Sequence, residues 1–333
     1  MTAAAPLVTV CVPTIGRMEY LPATRASIEA QTFKDMEILV LDNASPPAAA
    51  EALARWAAED PRVRVLRVDP RVPMFANFNR GIAAARGTYL AYFHDDDVYL
   101  PRFLELLVGA LEEHATAAFS ASNWGFIDER GEITEERRWI KETELWDGKR
   151  YIRELAGRGR NPIPMPGVVY RVSAFGPEGI DERVSIHFGD FVVLMRLAER
   201  GGVAMIADTA MRVRRHAGQA SGAVPLSRAI VMRTEILSAY CDEYLARWPS
   251  DAAFVTQLRQ RIALAHRFGL VWGWLIGDDE SEATACVAGL SGKTVDRPLR
   301  AMLMGVQRLG LKPTVRPGKL VQVARKVAGA LGV

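Results

Sequence analysis

Two periodicities alternate along the first part of the chain. Residues 7–13 (LVTVCVP), 37–41 (EILVL) and 89–93 (YLAYF) are short, nearly continuous apolar runs, the pattern of strands buried on both faces. Residues 62–68 (RVRVLRV) alternate strictly and predict a third strand nearer an edge. Between them lie stretches of helical period. One covers residues 20–31, with Leu21, Ala26 and Ile28 as expected buried positions; another is opened by Pro46 and Pro47 and runs to about residue 58; a third covers 77–85 and is broken by Gly87. Strands alternating with helices predict an α/β fold with a mostly parallel, doubly wound sheet. A helix over 101–114 follows, with Phe103, Leu104, Leu107 and Leu111 at core spacing, then a strand over 117–121.

Residues 124–146 are polar, with turn signals at Asp128 and Gly131, and predict a hairpin or a flexible loop. The prolines of NPIPMPG, 161–167, exclude a regular helix. A strand over 168–172, a helix over 191–199 ended by Gly201 and Gly202, and strands over 203–206 and 210–215 complete the α/β pattern. Beyond residue 223 the pattern becomes helical throughout, over 227–248, 251–276 and 282–290. The predicted organisation is an α/β domain over 1–222 and a helical C-terminal region with a basic tail over 223–333.

Composition narrows the classes. Across 333 residues, 49% hydrophobic and 24% charged, the net charge is only +3, so no global basic field points to nucleic acid. The basic residues concentrate after Leu290, where Lys293, Arg297, Arg300, Arg308, Lys312, Arg316, Lys319, Arg325 and Lys326 face only Asp296. That segment reads as a solvated helical face or as a peripheral contact with an anionic membrane. Cys11, Cys241 and Cys286 lack metal-ligand spacing, which suits a reducing cytoplasm. No basic start leads into an apolar run, and no stretch reaches the roughly 18 apolar residues of a spanning helix. The expected location is cytoplasmic, with peripheral membrane contact as the one addition.

The chemistry concentrates where the run 89–93 ends. His94 is followed by Asp95, Asp96 and Asp97, and the carboxyl end of a parallel strand is where open α/β sheets bind ligands. Three adjacent carboxylates repel one another, and a divalent cation shared with substrate phosphates would compensate them. The bland alternative is a solvated acidic turn before the next helix. Asp96 is the first choice of ligand, with Asp97 or Asp95 assisting, and His94 reads as a strand-end hydrogen bonder. Asp42 and Asn43 end the second strand in a similar polar cluster. No GxGxxG follows the first strand and no GxxxxGK[ST] occurs, so the usual phosphate cradles are missing.

In order along the chain, VTVCVPTIGRMEYL, ILVLDNAS, NRGIAAARGTYLAYFHDDDVYLP, GIDERVSIHFGDFVVLMRLAERGG and VRRHAGQAS resemble the motifs of glycosyltransferase family 2, inverting enzymes of the GT-A fold. The resemblance covers roughly residues 8–221. It implies a nucleotide-sugar donor held by the first strand and turn, here Pro13, Thr14 and Arg17, with Asp42 and Asn43 at the nucleobase and Asp95 at the ribose. It further implies Mg2+ or Mn2+ on Asp96, Asp97 and His216, and Asp190 as the general base toward an acceptor hydroxyl. Asp42 would accept the N3–H of uracil or thymine, favouring UDP or dTDP sugars, although guanine also offers an N–H. By position alone, Asp190 is an N-cap for the helix over 191–199, with Gly189 permitting a sharp turn. Gly189 stands where the family usually has a glutamate, and His187 is the substitute base. Arg212, Arg214 and Arg215 suit diphosphate pairing, with Arg80 a weaker candidate, and Trp124 and Trp139 are aromatics for an acceptor sugar. The rival readings are a nucleotidyltransferase, for which PTIGR is too short a loop, and a non-catalytic GT-A binding or scaffold protein, which Gly189 permits.

Overall fold

The computed structural model describes residues 5–157, 163–183, 188–218 and 226–275, with the backbone alone for 226–227 and 267–275. His187, Cys286, the helix expected over 282–290 and the basic segment after Leu290 lie outside the described residues. The chain divides into two compact units, residues 1–152 with 161–220, and residues 153–160 with 221–333.

The first unit is built on one mixed sheet with the strand order β3-β2-β1-β4-β9-β6-β10-β5. Its parallel half comprises β1 (Val8–Thr14), β2 (Met36–Asn43), β3 (Val63–Val68) and β4 (Tyr89–Tyr92). Helices α1 (Leu21–Glu29), α2 (Pro47–Glu59) and α3 (Met74–Ala84) connect these strands. β2 is buried along its whole length and β1 nearly so, as their unbroken apolar runs require, while β3, at the sheet edge, is mostly half-buried. On α1 the buried residues are Leu21, Thr24, Ser27 and Ile28, whereas Ala26 is exposed. Two hydroxyl residues take the core positions because their side chains satisfy local carbonyls: Ser27 donates to the Thr24 carbonyl at 2.7 Å and Thr24 to the Asp97 carbonyl at 2.8 Å.

After β4 come a two-residue strand β5 (Val98–Tyr99) and α4 (Phe103–Glu113), which buries Phe103, Leu104, Leu107, Val108 and Leu111. β6 (Ala117–Ile127) extends well past the predicted strand and pairs with β7 (Ile133–Arg137), so the polar stretch forms a hairpin. β8 (Glu144–Trp146) and α5 (Gly148–Gly157) follow. The α5 helix was hidden in a charged stretch, yet Tyr151, Ile152, Leu155 and Ala156 recur on one face and are buried. β9 (Val168–Arg171) runs antiparallel between β4 and β6, and α6 (Gly189–Ala198) leads to β10 (Gly202–Arg214). The two strands expected over 203–206 and 210–215 are this single strand. It shifts register against β6 between Ile206 and Met211 but does not end there. Asn123 holds the irregular stretch, donating to the carbonyls of Ile140 at 2.7 Å and Ala207 at 2.8 Å.

In the second unit, α7 (Leu226–Arg247) and α8 (Ala252–Leu275) pair through buried Ile230, Leu237, Tyr240, Cys241 and Tyr244 on one side and Val255, Leu258, Ile262 and Ala265 on the other. Tyr244 Oη donates to Asp251 at 2.8 Å across the turn that joins them. Among the described residues no helix is long and apolar enough to cross a membrane.

Candidate functional site

Strand register assembles the first part of the site. Thr14 lies opposite Asp42 across the β1–β2 pair, and Pro13 opposite Leu41. Cys11 lies opposite Tyr92 across the β1–β4 pair, so continuing both strands brings Thr14 level with Asp95. The Thr14 hydroxyl donates to Asp95 Oδ2 at 2.6 Å. In the strand order, β1 is flanked by β2 and β4, and this point of divergence leaves the ligand crevice of a doubly wound sheet. The turn after β1 is closed by Gly16 at φ +86°, whose N–H donates to Thr14 Oγ1 at 2.9 Å. A Cβ at Gly16 would stand 2.8 Å from Ala49 Cβ, so the turn lies directly on the first turn of α2. It carries Arg17 to Asp95 Oδ1 at 3.0 Å and to Asp96 Oδ2 at 3.2 Å.

The three adjacent acids enter three different surroundings. Asp95 is buried between Thr14 and Arg17; burial pushes its pKa up against both of those partners. Asp96 meets Arg17 on one side and, on the other, His216, whose Nε2 lies 3.1 Å from Asp96 Oδ2. The His216 ring packs on Tyr20 with centroids 4.7 Å apart. Asp97 turns inward, where its Oδ1 accepts the Arg214 backbone N–H at 3.0 Å; burial, with the Asp96 charge added, pushes its pKa well up. The loop is tied from three directions. Thr24 on α1 bonds the Asp97 carbonyl, β5 pairs with β10 at Tyr99 and Met211, and the Arg214 guanidinium reaches the carbonyls of Asp96 at 2.9 Å, Asp128 at 2.9 Å and Glu129 at 3.2 Å.

His94 does not make the side-chain hydrogen bond expected of it. Its backbone N–H donates to Tyr99 Oη at 2.9 Å, whereas its imidazole Nε2 is buried with no hydrogen-bond partner among the described residues. Burial lowers the His94 pKa, and an imidazole nitrogen lies within 4.8 Å of carboxylate oxygens of both Asp96 and Asp97. The donor set at this strand end is therefore carboxylates and imidazoles together, which suits a divalent first-row cation.

At the end of β2, Asp42 is almost fully buried. Its Oδ1 accepts the Ser45 N–H at 2.9 Å and its Oδ2 accepts Arg67 Nη1 at 2.7 Å. Burial opposes its ionisation, but the hydrogen bonds from Ser45 and Arg67 outweigh it and hold the pKa below the ordinary carboxylate value. Asn43 exchanges two hydrogen bonds of 2.9 Å with the backbone of Val72. Ala44, between Asn43 and Ser45, takes φ +59°, a left-handed conformation that a β-carbon disfavours.

Asp190 sits in the first turn of α6, since the helix begins at Gly189 and Phe188 holds the cap position. It is thus not the N-cap that its spacing suggested, and Gly189 is helical rather than the pivot of a sharp turn. Asp190 Oδ1 accepts the Phe191 N–H at 2.9 Å. Its charge reaches the buried Tyr151 and Tyr170 hydroxyls, adding to the rise that burial imposes on their pKa values. Tyr170 packs edge-on to Tyr92, two residues before His94, with centroids 6.1 Å apart.

The late arginines are engaged by protein groups, so their guanidinium forks do not stand ready for a diphosphate. Arg212 pairs with Glu136 at 2.7 Å, Arg215 with Glu135 at 3.0 Å, and Arg214 is buried in the carbonyl cage described above. Arg80 bonds Asn77 and the Leu66 carbonyl, whereas Arg17 lies at the acids themselves, paired with Asp95 and Asp96 through Nη1. Trp124 packs on Phe126 and Trp139 on Trp146, and both remain partly exposed.

The sequence profile described as Glycosyl transferase family 2 matches residues 9–175, the segment that contains β1 to β9 and the acid cluster. The chain belongs to glycosyl transferase family 2. One relative is an uncharacterized glycosyltransferase of Methanocaldococcus jannaschii, 34% identical over 133 residues, which are 39% of this chain and 46% of the relative. Another is the glycosyltransferase GlyG of Streptococcus pneumoniae, 29% identical over 107 residues, 32% of this chain and 36% of the relative. The matched stretch spans less than half the length of these relatives. Among solved structures, residues 1–349 of S. aureus TarS in complex with UDP-GlcNAc superpose with a TM-score of 0.63 at 16% identity, covering 85% of this chain and 79% of that one. The mannosyltransferase PcManGT of Pyrobaculum calidifontis, in complex with GDP-Man and Mn2+, gives a TM-score of 0.55 at 16% identity over 98% of this chain and 87% of that one. These likenesses show the GT-A fold.

Sequence reasoning missed Thr24, Arg67 and the structural role of Arg214. Thr24 had a signal, since it lies at helical spacing from Leu21 and Ile28. Arg67 and Arg214 had none, because each meets its acid through pairing of strands distant in sequence.

Proposed function

We propose that this family 2 protein is an inverting, metal-dependent glycosyltransferase (EC 2.4) that moves a sugar from a nucleotide-diphosphate sugar to an acceptor hydroxyl. The observation that carries the reading is the convergence of Thr14, Arg17, Asp95 and Asp96, all within the segment matched by the family, with His216 from beyond that segment, at the carboxyl ends of β1 and β4.

Pro13, Thr14 and Arg17 line the donor turn, with Arg17 offering its guanidinium to the diphosphate. Asp95 receives the ribose. Asp42 and Asn43 stand at the nucleobase; each Asp42 oxygen has accepted one hydrogen bond and retains a lone pair for a base N–H. A UDP or dTDP sugar is the favoured donor, and the UDP-GlcNAc complex of the TarS neighbour supports the uridine choice. Asp96, Asp97 and His216 would hold Mg2+ or Mn2+, which supplies neutralising charge to the departing diphosphate; the Mn2+ in the PcManGT complex supports that assignment. Asp190 takes the proton from the acceptor hydroxyl, whose oxygen bonds to the anomeric carbon as the bond to the diphosphate oxygen breaks, with inversion. The acceptor class is a glycan, a lipid-linked glycan or a small molecule. A cytoplasmic protein with peripheral membrane contact through the basic segment after Leu290 belongs to the same proposal. Vesicle co-sedimentation that is insensitive to removing that segment would remove the membrane part.

The test is thermal stability of the purified protein with UDP, dTDP or GDP, each with and without Mn2+, joined to an assay of sugar-nucleotide hydrolysis. Stabilisation by Mn2+ that is enhanced by nucleotide and is lost in Asp96→Asn is expected. Nucleotide binding without any hydrolysis or transfer would return the protein to the scaffold reading.

A further inference from the structure

The acid cluster contains one group that the proposed donor and metal contacts leave unused. His94 Nε2 is buried and has no hydrogen-bond partner among the described residues, although a buried imidazole nitrogen ordinarily finds one. The backbone of His94 is fixed by its N–H bond to Tyr99 Oη at 2.9 Å, and its ring packs tilted against Phe78 with centroids 5.9 Å apart. A nitrogen of this ring, an oxygen of Asp96 and an oxygen of Asp97 all lie within 4.8 Å of one another. Two ligands opposite each other on a cation at about 2.2 Å are about 4.4 Å apart, so this spread is close to that of a single coordination shell. On the other side of Asp96, His216 Nε2 lies 3.1 Å from Oδ2. Adjacent ligands at about 2.1 Å and right angles stand roughly 3.0 Å apart, so that distance also suits neighbours on one ion.

We propose that His94 is a direct nitrogen ligand of the cation and that, with His216, it makes the site selective for Mn2+ over Mg2+. This rests on the glycosyltransferase reading given above. Its chemical basis is ligand softness. Carboxylate and water suit both ions, whereas each imidazole added to the shell favours a transition metal, because Mg2+ prefers oxygen and sheds water reluctantly. An aspartate at this position would supply oxygen instead and leave the two ions closer in affinity. Burial of Nε2 away from water also means that a bound cation replaces an unsatisfied contact rather than a hydrated one.

Pulsed electron paramagnetic resonance of the full chain loaded with Mn2+ alone, in the wild type and in His94→Asn, His94→Asp, His216→Asn and Asp96→Asn, tests this directly. Nitrogen couplings to Mn2+ are expected in the wild type, one set being lost in either histidine variant while Mn2+ stays bound. Competition between Mn2+ and Mg2+ should show the wild-type preference falling by on the order of tenfold in His94→Asp. Because the wild-type couplings are read without any variant, misfolding of a variant does not spare the proposal. Mn2+ that binds through Asp96 but shows no coupling from His94, or a preference unchanged in His94→Asp, overturns the inference and leaves the glycosyltransferase reading standing. Absence of any Mn2+ binding to the wild type overturns both.

Discussion

Replacing Arg214 with methionine keeps the length and apolar stem of the side chain and removes only its donors. In the structure those donors serve the carbonyls of Asp96, Asp128 and Glu129, and the guanidinium lies 5.1 Å from the Tyr20 ring centre. The backbone N–H that holds Asp97 is untouched by the change. A hydrogen bond from a charged donor contributes about 1.5–3 kcal/mol net, but the three here share one cation and are only partly shielded from water, so they do not add in full. Removing a buried charge also recovers part of its desolvation cost. The expected loss is therefore about 3 kcal/mol, or roughly 6–12 °C in Tm for a domain of this size. Urea unfolding followed by tryptophan fluorescence measures the first and calorimetry the second. Arg214→Lys should recover part of the loss, since one ammonium does not span carbonyls on both sides of the cage as the planar fork does. Because the cage fixes the Asp96 carbonyl, Arg214→Met should also weaken Mn2+ binding. A loss below about 1 kcal/mol with Mn2+ affinity unchanged would refute the view that Arg214 tethers the acid loop.

Asp190→Asn should leave UDP and Mn2+ binding intact and lower turnover by on the order of 10² or more, as expected for a lost general base; undiminished turnover would place the base elsewhere. Asp42 has a folded pKa below its ordinary value, so its stabilising contribution is complete above an unfolded pKa of about 3.9 and disappears as pH falls through the folded value. The stability difference between wild type and Asp42→Asn should accordingly be flat near neutral pH and shrink only in acid; a difference that grows on acidification contradicts the assignment. Ala44→Gly should raise stability by about 0.5–1 kcal/mol in urea unfolding, because glycine adopts φ +59° without a β-carbon penalty.

The arrangement of short buried strands and amphipathic helices was legible in the sequence, because hydrophobic period is a local property. Short continuous apolar runs bounded by turn residues and rich in β-branched and aromatic side chains suit strands covered on both faces, and an acidic cluster directly after one of them emerges at the carboxyl edge of the sheet. Helix α5 escaped notice because its buried face is set among lysine, arginine and glutamate. The interruption in β10 looked like two strands because polar Asp208 and Thr209 break the apolar pattern, although pairing with β6 continues past them. The division of labour among Asp95, Asp96 and Asp97 belongs to the tertiary structure alone. As three identical neighbours they carry no distinguishing local signal. One is claimed by Thr14 and Arg17 from the turn after β1, one is left to Arg17 and His216, and one is drawn inward by the backbone of Arg214. Asp42 likewise acquires its arginine only through the β2–β3 pairing. The physical reason is the same in each case. Periodicity along a chain determines which face of an element is buried, but a carboxylate's charge state and its free lone pairs depend on donors delivered by the register of strands far away in sequence.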